Sequence, residues 1–166
     1  MSFTPSFSIT VHDGTQTNCH APVNQHWSDE FARSQFVIPA ADLVAMAGGT
    51  ISGMTFYTTS QNIPFTYNKP VDVYLMEVDY KAFNPNNPQF EPKTNATIVY
   101  QGPFQIISTG NGGELTIYFS EPYHYNYGNL LVGIEDTQKG ITFRSVFFYG
   151  TTATSASCAR SAPTTT

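Results

Sequence analysis

Stretches in which apolar and polar residues alternate make up most of this chain. Because successive side chains of a strand point to opposite faces, a period of two predicts a half-buried β-strand. The turn dipeptide Asp13-Gly14 and other Gly-, Pro- and Asn-rich breaks separate the stretches. The predicted strands cover residues 7–11, 33–38, 51–59, 71–78, 96–100, 115–119, 130–134 and 141–148, with a last short one around 153–159.

A helix is indicated at only one place, about residues 39–47. Pro39 suits a first helical position, and Gly48-Gly49 would end the helix. The crossover helices that parallel strands need are missing. The chain is therefore predicted to be all-β, an antiparallel two-sheet jelly-roll sandwich with one short helix. Gly53 predicts a β-bulge, and the Pro- and Asn-rich residues 81–94 predict a long exposed loop.

The length and the charge of the chain limit its organisation and partners. Its 166 residues fit one domain, predicted at 1–160, followed by a linker-like tail at 161–166. A net charge of −5 argues against nucleic acid, whose recognition usually needs a basic stripe. No apolar run approaches the length of a membrane span, so membrane insertion is not expected.

The composition favours work outside the cytoplasm. Charged residues make up 11% of the chain, against about 25% in a typical domain. Aromatic residues make up 14%, so hydroxyl and amide groups must do most of the solubilising. Such a surface suits neutral polar partners such as sugars or other proteins, and it predicts a secreted or cell-surface location.

Two cysteines, Cys19 and Cys158, lie near opposite ends of the chain. The first and last strands of a sandwich often neighbour each other, so a disulfide is one interpretation. Closing so long a loop would stabilise the fold by about 4–5 kcal/mol. Two separate thiols are the alternative, and the sequence leaves both open.

Four stretches carry a resemblance to a known family. They are DGT at 13–15, RSQFVIPAADLVAMAGGTISGMTFY at 33–57, NLLVGI at 129–134 and SVFFYG at 145–150. Together they resemble a jelly-roll module of large secreted or cell-surface proteins of gut Bacteroidetes, distantly similar to gingipain-type cleaved adhesin domains. The resemblance covers roughly residues 6–158. It implies a non-catalytic adhesion domain that sits beside other domains of a longer chain and binds glycans or host surface molecules.

Aromatic side chains are the candidate ligand contacts, since a ring can stack on the C–H face of a sugar while amides and carboxylates bind its hydroxyls. Trp27 is the only tryptophan and lies in an irregular segment beside His26 and Asp29; a lid over the core is the alternative role. Packing over the end of the sandwich is the alternative for the tyrosines of 123–127. The predicted ligand-binding residues are His26, Trp27, Asp29, Tyr57, Tyr67, Tyr125 and Tyr127.

No convincing catalytic set is present, so the chain is predicted not to be an enzyme. The nearest alternative is a jelly-roll glycoside hydrolase that uses Glu77 with Glu135, because retaining chemistry needs two carboxyl groups about 5–5.5 Å apart. No cofactor is required. A structural calcium ion is left open, with Asp13, Asp29 and Asp136 as weak ligand candidates.

The leading functional hypothesis is a binding or adhesion module that recognises a glycan or a host surface protein through loops at one end of the sandwich. A structural spacer that contacts neighbouring domains is the first alternative, and the hydrolase is the second.

Overall fold

The computed structural model describes residues 7–11, 13–19, 21–22, 31–59, 65–87, 89–108, 112–139, 147–151 and 157–162. Side chains at 65–69, 105–108 and 157–162 are outside this description. The strands are β1 (Gln16–Asn18), β2 (Phe31–Ile38), β3 (Thr50–Thr58), β4 (Phe65–Val78), β5 (Thr97–Ser108), β6 (Gly113–His124), β7 (Asn129–Asp136), β8 (Phe148–Gly150) and β9 (Ser157–Ala162).

The strand pairing is that of one long hairpin rolled up on itself. All pairs are antiparallel, and β1 pairs with β8, β2 with β7, β3 with β6 and β4 with β5. One layer, sheet A, has the order β1-β8-β3-β6, and the other, sheet B, has the order β5-β4-β7-β2 with β9 at its edge. This order is that of an eight-stranded jelly roll. The predicted all-β, two-sheet sandwich is therefore confirmed.

The main core lies between the two sheets. It is built from the inward positions of the alternating strands, so the pattern that predicted the strands also predicted their buried faces. Strand β5 takes part in both layers: between Thr97 and Ile106 it pairs with β4, while Ile107 and Ser108 pair with β6 and join the two sheets. The central members of the core are Val71, Val73, Leu75, Val99, Leu115, Ile117, Leu130, Val132 and Ile134.

A second apolar cluster lies on the outer face of sheet B. The connection between β4 and β5, residues 79–87 and 89–96, folds back over this face, and we call it the strap. Its Phe83 is buried with Val37, Tyr74 and Leu131 of three neighbouring strands. Gly133 makes room for the Tyr74 ring, since a Cβ there would lie 2.1 Å from it. The predicted exposed loop at 81–94 is confirmed for most of its described residues, but Phe83 is buried and anchors the loop to sheet B.

Three local predictions need correction. The helix at 39–47 is two 3-10 turns, Ala40–Asp42 and Val44–Met46, because Leu43 between them leaves helical geometry at φ −111° and ψ 10°. Residues 7–11 form no strand, although Ile9 and Val11 pack on the core. The last strand, predicted around 153–159, is β9 at Ser157–Ala162.

Other local features agree with the sequence. The register of β3 and β6 shifts between Ile51 and Gly53, which confirms the predicted bulge. In the part of the chain that the structure describes, no helix has the length and apolar character needed to cross a bilayer.

Candidate functional site: an exposed tyrosine face on sheet A

The outer face of sheet A carries three solvent-exposed tyrosines. Tyr57 on β3, Tyr118 on β6 and Tyr149 on β8 are 52%, 78% and 45% exposed. The residues beside them in sequence, Thr58 and Phe148, are buried and paired with each other. Alternation along each strand therefore turns Tyr57 and Tyr149 outward at directly opposite positions.

Register places the remaining residues of this face. Tyr57 lies opposite Glu114, Thr55 opposite Thr116, and Tyr118 opposite Gly53. Thr17 on β1 lies opposite Tyr149. We call this set the tyrosine face, and its side chains are those of Thr17, Thr55, Tyr57, Glu114, Thr116, Tyr118 and Tyr149.

The tyrosine face is nearly uncharged and rich in hydroxyl groups. Glu114 is its single ionisable acid, and none of its members is a cation. The Thr55 and Thr116 hydroxyls lie 3.0 Å apart and share one hydrogen bond. Gly53 adds no side chain beside Tyr118, which is 78% exposed. Apolar rings and hydroxyls thus alternate over a sheet surface open to solvent.

The sequence predicted part of this face. Tyr57 was among the predicted ligand contacts, but Tyr118 and Tyr149 were not. The signal for Tyr118 was present, because it alternates with Leu115, Ile117 and Phe119 in a predicted strand. Its proximity to the other two tyrosines depends on strand order, which the sequence does not reveal.

The other predicted ligand residues do not gather at one place. His26, Trp27 and Asp29 lie outside the described residues, as does the side chain of Tyr67. Tyr127 is 73% exposed in the turn after β6, and strand register does not place it on the outer face of sheet A. The possible Cys19–Cys158 bridge also stays a prediction, because the Cys158 side chain is not described.

Tyr125 is a correction to the predicted ligand set. Its side chain is only 1% exposed and packs in the main core, and its hydroxyl donates to the Gly128 carbonyl at 2.8 Å. Burial raises the pKa of Tyr125, and the nearby Glu77 carboxylate raises it further. A ring in this position offers no face to a ligand.

Glu77 closes the turn after β6 rather than facing a partner acid. Its Oε1 accepts from the Asn126 backbone and side chain at 2.8 and 2.9 Å. Its Oε2 accepts from the backbone N–H groups of Tyr127 and Gly128 at 3.0 and 2.6 Å. Burial alone would raise the pKa of Glu77, but these hydrogen bonds outweigh it and hold the pKa below its ordinary value.

The Glu77 and Glu135 pair that a retaining hydrolase would need is not formed. On sheet B, Glu77 pairs with Leu130, five residues along β7 from Glu135. That offset corresponds to about 17 Å. The two side chains also point to opposite faces of sheet B. Glu135 lies opposite the outward-facing Asp72, and Glu77 is five residues from Asp72 on the same strand, so it points the other way.

A charged cluster does lie on the outer face of sheet B, and it ties down the strap. Lys93 of the strap lies 2.7 Å from Asp72 and 3.9 Å from Glu135. Glu135 also pairs with Arg33 at 2.8 Å. Burial would raise the pKa of Asp72, but hydrogen bonds from Gln101 and Lys93, with the charge of Lys93, lower it. Opposite charges are thus placed together, which is typical of a structural anchor.

Both lowered carboxylate pKa values predict loss of stability in acid. A carboxyl group whose pKa is lower in the folded than in the unfolded state stabilises the fold at pH values above its unfolded-state pKa. That contribution is lost as the pH falls through the folded-state pKa. We therefore expect the free energy of unfolding, measured with urea, to decrease once the pH drops below about 4.3. Asp72→Asn and Glu77→Gln should each flatten this dependence; equal stability at pH 7 and pH 3 would contradict the assignment.

The candidate calcium ligands are dispersed. Asp136 is buried and accepts a hydrogen bond from the Ala32 N–H at 3.1 Å, while Asp13 is exposed. Asp29 is not described. Within the described ranges, no group of three or more His, Cys, Asp and Glu side chains could hold a metal ion. A calcium ion stays an untested hypothesis.

Fold and surface together define a class: an eight-stranded jelly-roll sandwich with an aromatic face on one sheet whose single carboxylate is Glu114. Comparisons of the chain with family models, curated proteins and solved structures gave no match.

Proposed function

We propose that this protein is a non-catalytic carbohydrate-binding module of a secreted or cell-surface protein, and that it binds glycans through the tyrosine face. The observation that carries the proposal is the exposure of Tyr57, Tyr118 and Tyr149 on one side of one sheet. The resemblance to adhesion modules of Bacteroidetes surface proteins agrees with this function. The proposed site is a sheet face, whereas the sequence favoured loops at one end of the sandwich.

The chemistry of the face favours sugar over protein. Protein interfaces usually have an apolar core with a polar rim. On the tyrosine face, the outward neighbours of Tyr57 on β3 and β6 are Thr55, Thr116 and Glu114, so the rings are surrounded by polar groups and not by aliphatic side chains. A sugar presents C–H groups on one face and hydroxyls at its edge, so rings and hydroxyls at short spacing match both.

The pKa shifts of Glu77 and Asp72 do not favour a catalytic role for either carboxylate. A general acid at neutral pH needs a raised pKa, whereas Glu77 and Asp72 both have lowered values. Each is occupied by hydrogen bonds within the protein. The module would therefore bind its glycan without cleaving it, and avidity from neighbouring domains would raise its modest affinity.

Tyr57→Ala is expected to weaken glycan binding at least tenfold, because it removes the ring that lies beside Tyr149. A tenfold loss corresponds to about 1.4 kcal/mol. Glycan arrays and affinity gel electrophoresis on neutral polysaccharides would first find the ligand, and calorimetric titration would then compare the variants.

Tyr127→Ala is the control, since Tyr127 is 73% exposed, more than Tyr57, but lies outside the tyrosine face. Its binding should equal that of the unchanged protein. Binding that survives Tyr57→Ala would place the site elsewhere. Silence on every glycan would favour the alternative of an interaction module, in which the tyrosines contact a neighbouring domain or a host surface protein.

A further inference from the structure

We infer that the tyrosine face binds a run of several sugars within a linear, uncharged glycan, and not a single terminal sugar. This inference rests on the proposed function and adds to it the size and charge of the ligand. It is carried by the spacing of the three rings and by the groups between them.

The rings form two stacking positions. Because Thr58 pairs with Phe148, the antiparallel register sets Tyr57 opposite Tyr149 on the adjacent strand, with their backbones about 5 Å apart. These two tyrosines therefore count as one stacking position. Tyr118 pairs with Gly53, four residues along the strand from Tyr57. The offset along the strand and the step to the next strand give a separation of about 14 Å. One pyranose ring is too short to touch both positions.

Hydroxyl groups occupy the gap between the two positions. Thr55 lies midway between Gly53 and Tyr57, and Thr116 lies midway between Glu114 and Tyr118. Each hydroxyl has one donor and two acceptor sites, and their mutual bond at 3.0 Å uses one of each. One hydrogen and several lone pairs therefore stay available to the hydroxyls of a sugar that bridges the rings.

The charge of the face selects an uncharged chain. Glu114 lies directly opposite Tyr57, at the first stacking position, and no cation of the described face offsets it. A uronate or sulfate there would meet a like charge at close range. Tyr57 and Tyr118 are 52% and 78% exposed, so both stacking positions are open to a long chain that continues past the rings.

The test is a length series with two tyrosine variants. Glucose, xylose and mannose oligosaccharides, β-1,4-linked and one to six residues long, would be titrated into the unchanged protein by calorimetry, with oligogalacturonate as the anionic counterpart. For the series that binds, affinity is expected to rise at least tenfold between one and four residues and then to level off. Oligogalacturonate of the same length should bind at least tenfold more weakly.

Tyr118→Ala separates the two stacking positions. It should lower the affinity for the four-residue ligand to that for the two-residue ligand and leave the two-residue affinity unchanged. Tyr57→Ala should lower both, and Tyr127→Ala neither. Tyr118 is exposed, so its removal should leave the melting temperature unchanged and the comparison valid.

The outcomes distinguish the two proposals. Equal affinity for one and four residues, an unaltered four-residue affinity in Tyr118→Ala, or tighter binding of oligogalacturonate would overturn the inference and leave glycan binding by the module standing. Absence of binding at every length, on these probes and on the polysaccharide screen, would overturn both.

Discussion

Replacing Phe83 by alanine is expected to lower the free energy of unfolding by about 3–5 kcal/mol, the usual cost of deleting a buried phenylalanine ring. Phe83 is 5% exposed and fills the space between the strap and the outer face of sheet B. At about 2–4 °C per kcal/mol for a chain of this size, the melting temperature should fall by about 10 °C. Thermal and urea unfolding would measure both quantities.

Phe83 is the buried apolar residue of the strap, and Tyr80 and Ala96 pack beside it partly buried. Polar contacts also hold the strap. Gln35 is buried and donates to the Glu91 carbonyl at 2.8 Å while accepting from the Glu91 N–H at 2.9 Å. The same Gln35 amide donates to the Tyr74 hydroxyl at 2.8 Å. The reciprocal bonds between Gln35 and Glu91 resemble those of a paired strand. Because they hold the strap at a second point, we expect it to open as one unit when the Phe83 ring is removed.

Local opening gives the prediction a second readout. If the strap opens before the sandwich does, the measured loss of stability is limited to the free energy of that opening. Amide hydrogen exchange should then accelerate over residues 79–96 and not over β3 or β6. Phe7→Ala removes the same ring from a largely exposed site and serves as the control. Unchanged melting and unchanged exchange in Phe83→Ala would show that the strap is not anchored by this residue.

Glu77→Gln is expected to cost about 2–3 kcal/mol, the second largest effect. The carboxylate accepts four hydrogen bonds from the turn at residues 126–128. A glutamine amide keeps one acceptor but turns N–H donors toward N–H donors. Gly128 allows the turn to lie close to the carboxylate, since a Cβ there would be only 2.8 Å from Glu77 Oε2. The turn cannot move away from Glu77 without losing these short hydrogen bonds.

Asp79→Asn is the matched control for Glu77→Gln. Asp79 is an exposed acid two residues further along the chain, and its substitution should change stability by less than about 0.5 kcal/mol. Equal stabilities of the two variants would contradict the stabilising role of the Glu77 hydrogen bonds. Because the tyrosine face lies on sheet A, Glu77→Gln should also leave glycan affinity unchanged, whereas a hydrolase that used Glu77 would lose its activity.

The separation of the anchor from the candidate site has a structural basis. The strap and its charged cluster cover the outer face of sheet B, through Lys93, Asp72 and Glu135. The outer face of sheet A has no such cover over Tyr57 and Tyr118, which stay largely exposed. One sheet thus buries its outer side while the other presents it to solvent.

The sequence by itself determined the strands β2 to β7 and their inner faces. A period of two is a local property, so Val71, Val73 and Leu75 were placed in the core before any pairing was known. Gly53 predicted its bulge because a residue without a side chain tolerates the irregular register. The outward position of Tyr118 follows from the same alternation.

Tertiary structure decided the rest, because it depends on contacts between residues far apart in the chain. Tyr125 shares an alternating stretch with Tyr127, yet the first is buried and the second exposed, since β6 ends at His124 and the chain turns there. The composition of the strap predicted exposure, but the outer face of sheet B gave Phe83 an apolar site. Tyr57 and Tyr149 meet only because β8 lies beside β3, a neighbour relation that no local pattern encodes.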